Sequence, residues 1–252
     1  VPTAYAAALA YAEEGHPCDL SSVRLCISAG EALPAPVYER WRRRFGVEIV
    51  DGIGSTEVGY IAISNVPGHV RPGTSGRVVP GYEAKVVDPD GAPVPGGEVG
   101  DLWIRGGSTS AYYWRDRERT HRTYRGDWIV TGDKYRIDGD GCFTHAGRSD
   151  DMLKVGGIWV SPIEVEACLI DHPAVLEAAV VGRADRDALV KPCAYVVLRE
   201  GRDPSAELAL ELQAFVKDRL SAFKRPRWIE FTTELPKTGT GKIQRYRLRS
   251  GA

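Results

Sequence analysis

The sequence has no Cys-x-x-Cys pair, no histidines at metal-ligand spacing, no long uncharged apolar run and no excess of either charge. Its five cysteines (Cys18, Cys26, Cys142, Cys168, Cys193) are odd in number and scattered, which argues against a disulfide framework or a zinc site and fits reduced thiols in the cytoplasm. The five histidines share no metal spacing, so His145 and His172 read as structural. The apolar stretch near the start, Ala4 to Ala12, is too short to cross a bilayer and has no basic flank, so no anchoring or targeting segment is expected within these residues. Lys plus Arg number 33 against 34 for Asp plus Glu, a balance that calls for neither nucleic acid nor a membrane surface as partner. Only the tail departs from it. From Lys217 to Ala252 there are ten Lys or Arg and three Asp or Glu, a local positive field suited to an anionic ligand or, equally, a solvated basic face.

What is present is an ordinary globular composition, 43% hydrophobic and 27% charged over 252 residues, enough for two domains. The chain opens at Val1, directly ahead of a helical pattern and without an initiator Met, so an excised or truncated piece is expected. The first segment alternates helix and strand: an Ala-rich helix from Ala4 to Glu14, a strand from Val23 to Ser28, a helix after Pro34, and a strand from Val47 to Asp51. In the second helix Val37, Trp41 and Phe45 form one stripe, with Pro34 near its start and Gly46 just past its end. This reads as the end of a parallel α/β sheet, with glycine loops after both strands at the carboxyl ends where such sheets bind ligands.

From Arg71 to His145 short strands alternate with Pro, Gly and Asp turns, the pattern of a small β-barrel. After Arg148 the pattern changes again. Ser161-Pro162-Ile163-Glu164 is a capping box that starts a helix. Strands at Val175 to Val181, Cys193 to Leu198 and Arg227 to Phe231, with a helix from Pro204 to Leu220, complete an α+β unit. The expected domains are therefore 1–148 (1–70 the α/β portion, 71–147 the barrel) and 149–252, with the boundary at Gly147 to Asp151.

Two motifs carry chemistry. Gly52-Ile53-Gly54-Ser55-Thr56-Glu57 is not a dinucleotide fingerprint, because Glu57 stands at its third glycine and would repel a pyrophosphate. A hydroxyl beside a carboxylate at a strand end suits a phosphate with its Mg²⁺ ion, which takes oxygen ligands. Pro236-Lys237-Thr238-Gly239-Thr240-Gly241-Lys242 fails as a Walker loop, having Pro236 for the first glycine and Ile243 where a hydroxyl is needed. It reads as a mobile loop whose Lys242 brings a compact positive charge to a carboxylate or phosphoryl oxygen, or as a plain surface loop.

Five segments in order, DGIGSTE (Asp51 to Glu57), GEVGDLWIRG (Gly97 to Gly106), DWIVTGD (Asp127 to Asp133), GRSDDMLKVGG (Gly147 to Gly157) and PKTGTGKIQR (Pro236 to Arg245), resemble the adenylate-forming superfamily of acyl-CoA ligases, peptide-synthetase adenylation domains and luciferases. DGIGSTE together with KVGGIWVSPIEVE most resembles benzoate-CoA and related aryl-CoA ligases. The resemblance implies the end of a large domain followed by a small mobile domain, and a ligase using ATP, Mg²⁺ and coenzyme A on an aromatic acid. By the same resemblance Gly30, Glu31, Asp51, Gly52 and Ile53 border the adenine, Thr56 meets the phosphate and Glu57 the magnesium ion. Asp133 and Arg148 then hold the ribose, and Asp150 is the hinge. Lys242 matches the lysine of adenylation, while Lys154, Gly156 and Gly157 serve the thioester step. Ile53 and Tyr60 shape the acyl pocket, Tyr60 standing where typical benzoate ligases carry histidine. The Ser/Thr/Gly-rich phosphate loop of the superfamily is expected upstream of position 1, in a missing N-terminal half, so this chain alone is not expected to complete adenylation. A carrier-loading adenylation domain and a non-catalytic module are the alternatives.

Overall fold

The structure, a computed structural model, describes residues 1–239 and 241–249. It divides into two compact units, Val1–Pro2 with Pro17–Asp150 and Thr3–His16 with Asp151–Ala252. Helix α1 (Pro2–Glu13) was expected beside the leading sheet, but its residues group with the second unit. There Glu13 pairs with Arg199 at 3.1 Å and the Thr3 hydroxyl donates to the Gly241 carbonyl at 3.2 Å. An Ala-rich helix has little amphipathic contrast, so its pattern could not specify which neighbour it would cover.

In the first unit β1 (Cys26–Ser28) pairs in parallel with β2 (Ile49–Gly54) through α2 (Ala35–Phe45), the expected βαβ arrangement. Helix α2 buries Val37, Tyr38 and Trp41 on one face. It ends where Gly46 turns left-handed at φ 72° and its N–H caps the Arg42 carbonyl, a conformation glycine adopts without steric penalty. Strand β2 then continues antiparallel to β3 (Ile61–Ser64), which pairs with β4 (Arg77–Val78).

Here the structure corrects the sequence reading, since Gly52-Ile53-Gly54 is strand and not loop. A Cβ on Gly52 would lie 2.7 Å from the Ile63 carbonyl oxygen, and one on Gly54 would lie 1.5 Å from that of Tyr60. The two glycines allow close backbone approach, which sequence alone does not distinguish from turn-forming glycine.

Strands β5 (Tyr82–Val87) and β6 (Gly100–Gly106), the short helix α3 (Arg117–Thr123), and strands β7 (Tyr124–Arg125), β8 (Trp128–Ile137) and β9 (Phe143–Arg148) follow. The strands form one curled antiparallel sheet in the order β5-β6-β8-β7, with β9 also paired to β8. Register shifts at Asp101/Trp103 and Lys134/Tyr135 bend it, as bulges do. Its buried face carries Val86, Leu102, Ile104, Ile129, Tyr135 and Phe143 against Val58, Ala62 and Ile63 of the preceding segment. Each such aliphatic or aromatic burial stabilises by about 1.5–3 kcal/mol, and this shared core fixes the turn after β2 to the curled sheet.

The second unit opens with a hairpin, β10 (Leu153–Val155) and β11 (Ile158–Val160), and then α4 (Pro162–Ile170). Strands β12 (Val175–Ala184) and β13 (Val190–Leu198) pair antiparallel, and β14 (Trp228–Phe231) joins β13 in parallel after α5 (Ala206–Arg219). A last helix, α6, spans Arg245–Arg249. The Ser161 hydroxyl accepts the Glu164 N–H at 3.2 Å, as the capping box requires. The Glu164 carboxylate does not complete the reciprocal half; both its oxygens accept from Lys224 at 2.7 Å. Val160, Val165, Leu169, Val175, Val180, Val196, Leu212 and Val216 form the core between helices and sheet. Among the described residues no helix is long and apolar enough to cross a membrane.

Candidate functional site

Beyond Gly54 the chain turns through Ser55, Thr56, Glu57 and Val58, closed by the Gly59 N–H donating to the Thr56 carbonyl at 3.3 Å. The segment after β6 wraps this turn. The Ser110 N–H donates to the Glu57 carbonyl at 2.7 Å, and the Ser108 hydroxyl donates to the Val58 carbonyl at 2.6 Å. Thr56 is exposed, so its hydroxyl is available to a ligand. The Glu57 side chain is mostly covered, and the phenol of Tyr113 donates to its carboxylate. Arg119 lies 4.0 Å from that carboxylate and stacks 4.0 Å from the Tyr113 ring centroid.

Burial alone would push the Glu57 carboxyl up. Hydrogen bonds from Tyr113, Ser55 and its own backbone N–H, with the Arg119 charge, together outweigh it and hold the group below the ordinary carboxylate range, hence ionised. Tyr113, Ser110 and Arg119 were not anticipated from sequence. They sit in an irregular segment and the start of a short helix, where no periodicity marks them.

Asp51, at the register position opposite Ser28, is only 5% exposed, and one of its carboxylate oxygens finds no hydrogen-bond partner among the described residues. Burial pushes its pKa up to about 7, against the Ser28 hydroxyl and the Leu33 and Gly52 N–H groups, which draw it down. Gly52 is buried beside it, Ile53 packs on the curled-sheet core, and Glu31 is half-buried. Gly30 is exposed in a left-handed turn at φ 93°. Tyr60, just before β3, is 67% exposed.

Asp133 and Arg148 are direct partners across β8 and β9. The Arg148 guanidinium lies 3.4 Å from the Asp133 carboxylate and 3.4 Å from that of Asp150, and it also donates to the Thr131 carbonyl at 3.2 Å. Gly132 between them is left-handed at φ 75°, and a Cβ there would lie 3.0 Å from the guanidinium. His145, read as structural, has Nε2 3.5 Å from the same Asp133 oxygen and its ring packed against Tyr135.

In the second unit Gly156 and Gly157 form the two-residue turn between β10 and β11, both left-handed at φ 56° and 86°, the geometry that matches strand twist in a tight hairpin. Lys154 is exposed over Trp159, 5.7 Å from its ring centroid.

The Lys242 segment, expected as a mobile loop, is hydrogen-bonded as a hairpin. Lys237 and Ile243 form an antiparallel bridge. The Thr238 N–H donates to the Lys242 carbonyl at 2.8 Å, the Lys242 N–H to the Thr238 hydroxyl at 3.0 Å, and the Gln244 N–H to the Pro236 carbonyl at 2.8 Å. Lys242 faces solvent while Ile243 packs inward on Ala179, Val197 and Leu235. Thr240 lies outside the described residues.

A metal would find no ready-made cage. Among the described residues no three His, Cys, Asp or Glu converge on one point. The ionised Glu57 beside the open Thr56 hydroxyl does fit Mg²⁺, which keeps much of its coordination to water and phosphate and takes one or two protein carboxylates.

The pattern of the "AMP-binding enzyme" family matches residues 1–114, and that of the "AMP-binding enzyme C-terminal domain" matches residues 164–242. The benzoate-CoA ligase of Thauera aromatica is 53% identical over 99% of this chain and 47% of its own length. The 4-hydroxybenzoate-CoA/benzoate-CoA ligase of Rhodopseudomonas palustris is 49% identical over 99% of this chain and 46% of its own. Among solved structures, an anthranilate CoA ligase in complex with anthranoyl-AMP superposes with a TM-score of 0.94 at 54% identity, over 99% of this chain and 48% of that one. The chain thus spans about half the length of the curated relatives it matches.

Proposed function

Because the chain belongs to the AMP-binding enzyme family, we propose that it supplies the C-terminal portion of an aryl-CoA ligase, which activates an aromatic carboxylate with ATP and transfers the acyl group to coenzyme A. The observation that carries this reading is the turn after β2, where an accessible Thr56 hydroxyl adjoins a carboxylate, Glu57, that the Tyr113 phenol, its neighbours Ser55 and Arg119 and the local backbone hold below the ordinary range. Benzoate or a hydroxy- or amino-substituted relative is the acid, in keeping with the acids named for the similar ligases.

In the proposed mechanism the acid's carboxylate oxygen attacks the α-phosphorus of ATP and pyrophosphate leaves. Thr56 donates to the phosphate, and Glu57 is the residue that would hold Mg²⁺, which when bound would supply positive charge against the phosphate oxygens. Asp133, with two acceptor oxygens, takes the ribose hydroxyls, oriented by Arg148. Asp51, Gly52, Ile53, Gly30 and Glu31 border the adenine, and Ile53 with the exposed Tyr60 faces the aryl group. Lys242 stabilises negative charge that develops at the carboxylate–phosphate junction.

In the second step the CoA sulfur attacks the acyl carbonyl and AMP departs. Lys154, Gly156 and Gly157 serve this step, the side-chain-free turn leaving room for a narrow pantetheine chain. Asp150 is the hinge between the two states. The five free cysteines favour a reducing cytoplasmic setting.

The test is Lys242→Ala in a full-length ligase carrying this chain. Adenylate formation should fall about 100-fold or more, with thioester formation from supplied adenylate largely retained; equal loss in both half-reactions refutes the role. A carrier protein preferred over CoA as thiol acceptor would select the carrier-loading alternative.

A further inference from the structure

We propose that Glu177 and Glu166 are positioning residues for Lys242, holding the hairpin that carries it as a rigid arm. The inference rests on the role given to Lys242 above, but its structural basis is independent of that role.

Two glycines and two threonines within six residues would ordinarily make a segment that samples many backbone states. This one is fastened on both sides. At the entering strand both oxygens of Glu177, on β12, accept from the Lys237 ammonium at 2.7 and 2.8 Å. Just past the leaving side, at the first residue of α6, Arg245 donates to both oxygens of Glu166, on α4, at 3.0 and 2.7 Å, the parallel two-bond geometry available to a guanidinium. Glu166 is 6% exposed and also accepts the Val180 N–H at 2.8 Å, so it ties helix, sheet and hairpin at one buried point. Ile243 adds an apolar contact between the two ion pairs.

These two carboxylates come from α4 and β12, 79 and 60 residues from their partners. A lone buried ion pair is weak evidence for stabilisation, because desolvation offsets attraction. A pair on each side of one hairpin, with the Lys242 ammonium between them directed to solvent, is better accounted for by orientation. A lysine that must present its charge to one developing anion gains from a fixed backbone, since less freedom is lost when it engages. The aligned Lys237 and Arg245 then hold the hairpin but take no part at the reacting atoms.

The test uses the full chain. Glu177→Gln and Lys237→Met each open the entering leg, Glu166→Gln opens the buried one, and Glu177→Asp is the conservative control. Residue-resolved amide exchange is followed in the hairpin, with β12 and β13 as internal reference. The expected result for Glu177→Gln and Lys237→Met is about tenfold or faster exchange at Lys242 and Gln244, with protection in β12 and β13 retained and partial recovery in Glu177→Asp. Unchanged hairpin exchange, or equal loss of protection across the sheet, overturns the proposal. If Glu166→Gln unfolds the unit, the two entering-leg variants still decide it.

A second readout is kinetic, in a preparation that forms adenylate. Glu177→Gln should lower kcat for that half-reaction about tenfold, with KM for the acid and the thioester half-reaction unchanged; loss in both half-reactions overturns the positioning role. A wild-type preparation that forms no adenylate would sink the ligase reading alone, and the exchange result would stand.

Discussion

The phenol of Tyr113 donates a hydrogen bond to the carboxylate of Glu57, 56 residues earlier in the chain. This contact ties an irregular segment to the turn after β2, and it is the foremost of the interactions that lower the pKa of the carboxylate assigned to magnesium.

Tyr113→Phe should therefore raise the Glu57 pKa toward the ordinary 4.5. Because the folded carboxyl is held below its unfolded value, the stabilisation is present at neutral pH and fades as pH falls through the lowered folded pKa. The variant should be less stable by about 1–2 kcal/mol at pH 7 and indistinguishable from wild type in strong acid. A carbon-detected NMR titration of Glu57 with and without the hydroxyl settles it, and an unmoved pKa removes Tyr113 from this role.

Asp51 behaves in the opposite sense. Its folded pKa of about 7 lies above the unfolded 3.8, so the folded state binds the extra proton between those values. Stability from this group is fully present below pH 3.8 and declines as pH rises to about 7. Urea midpoints of wild type should fall across that window relative to Asp51→Asn, by an amount equivalent to a few kcal/mol at most, on the order set by a shift of this size. Parallel pH profiles for the two proteins would contradict the assignment.

Gly54 and Gly157 are constrained by different physics. At Gly54 a methyl would overlap the Tyr60 carbonyl, so Gly54→Ala must break the β2–β3 pairing and is expected to cost about 3 kcal/mol or more. At Gly157 there is open space, but the backbone is left-handed, so Gly157→Ala should cost only about 1–2 kcal/mol. Denaturation of both variants under one condition gives the order, and a reversed order would refute it.

Ser161→Ala removes the hydroxyl that accepts the Glu164 N–H at the start of α4. A loss of about 1 kcal/mol is expected, confined to the second unit. Exchange protection measured in α4 and in the curled sheet separates that unit from the first, and loss in both would contradict local capping.

Much of this was legible beforehand, for local reasons. The stripe of α2, its glycine cap and the Ser161 cap are encoded within a turn or two of chain, and the structure has each of them. What escaped depends on partners distant in sequence. The pair Gly52 and Gly54 read as a loop because glycine serves turns and close strand approach alike, and only β3 decides between them. The hairpin bonding around Lys242 went unread because Glu177 and Glu166, which pair with its flanking Lys237 and Arg245, lie 60 and 79 residues from those partners. Tyr113 was passed over for the same reason, and helix α1 was read correctly but assigned to the wrong unit because alanines favour no particular neighbour.

Side chains in the Lys242 hairpin alternate sides, with the ammonium outward and Ile243 inward on Ala179, Val197 and Leu235. That alternation makes spacing more restrictive than composition. One residue inserted or deleted between Lys237 and Lys242 would reverse the two, turning isoleucine to water and a charged group toward an oily floor. Homologous chains should accordingly keep the number of residues between these two positions fixed.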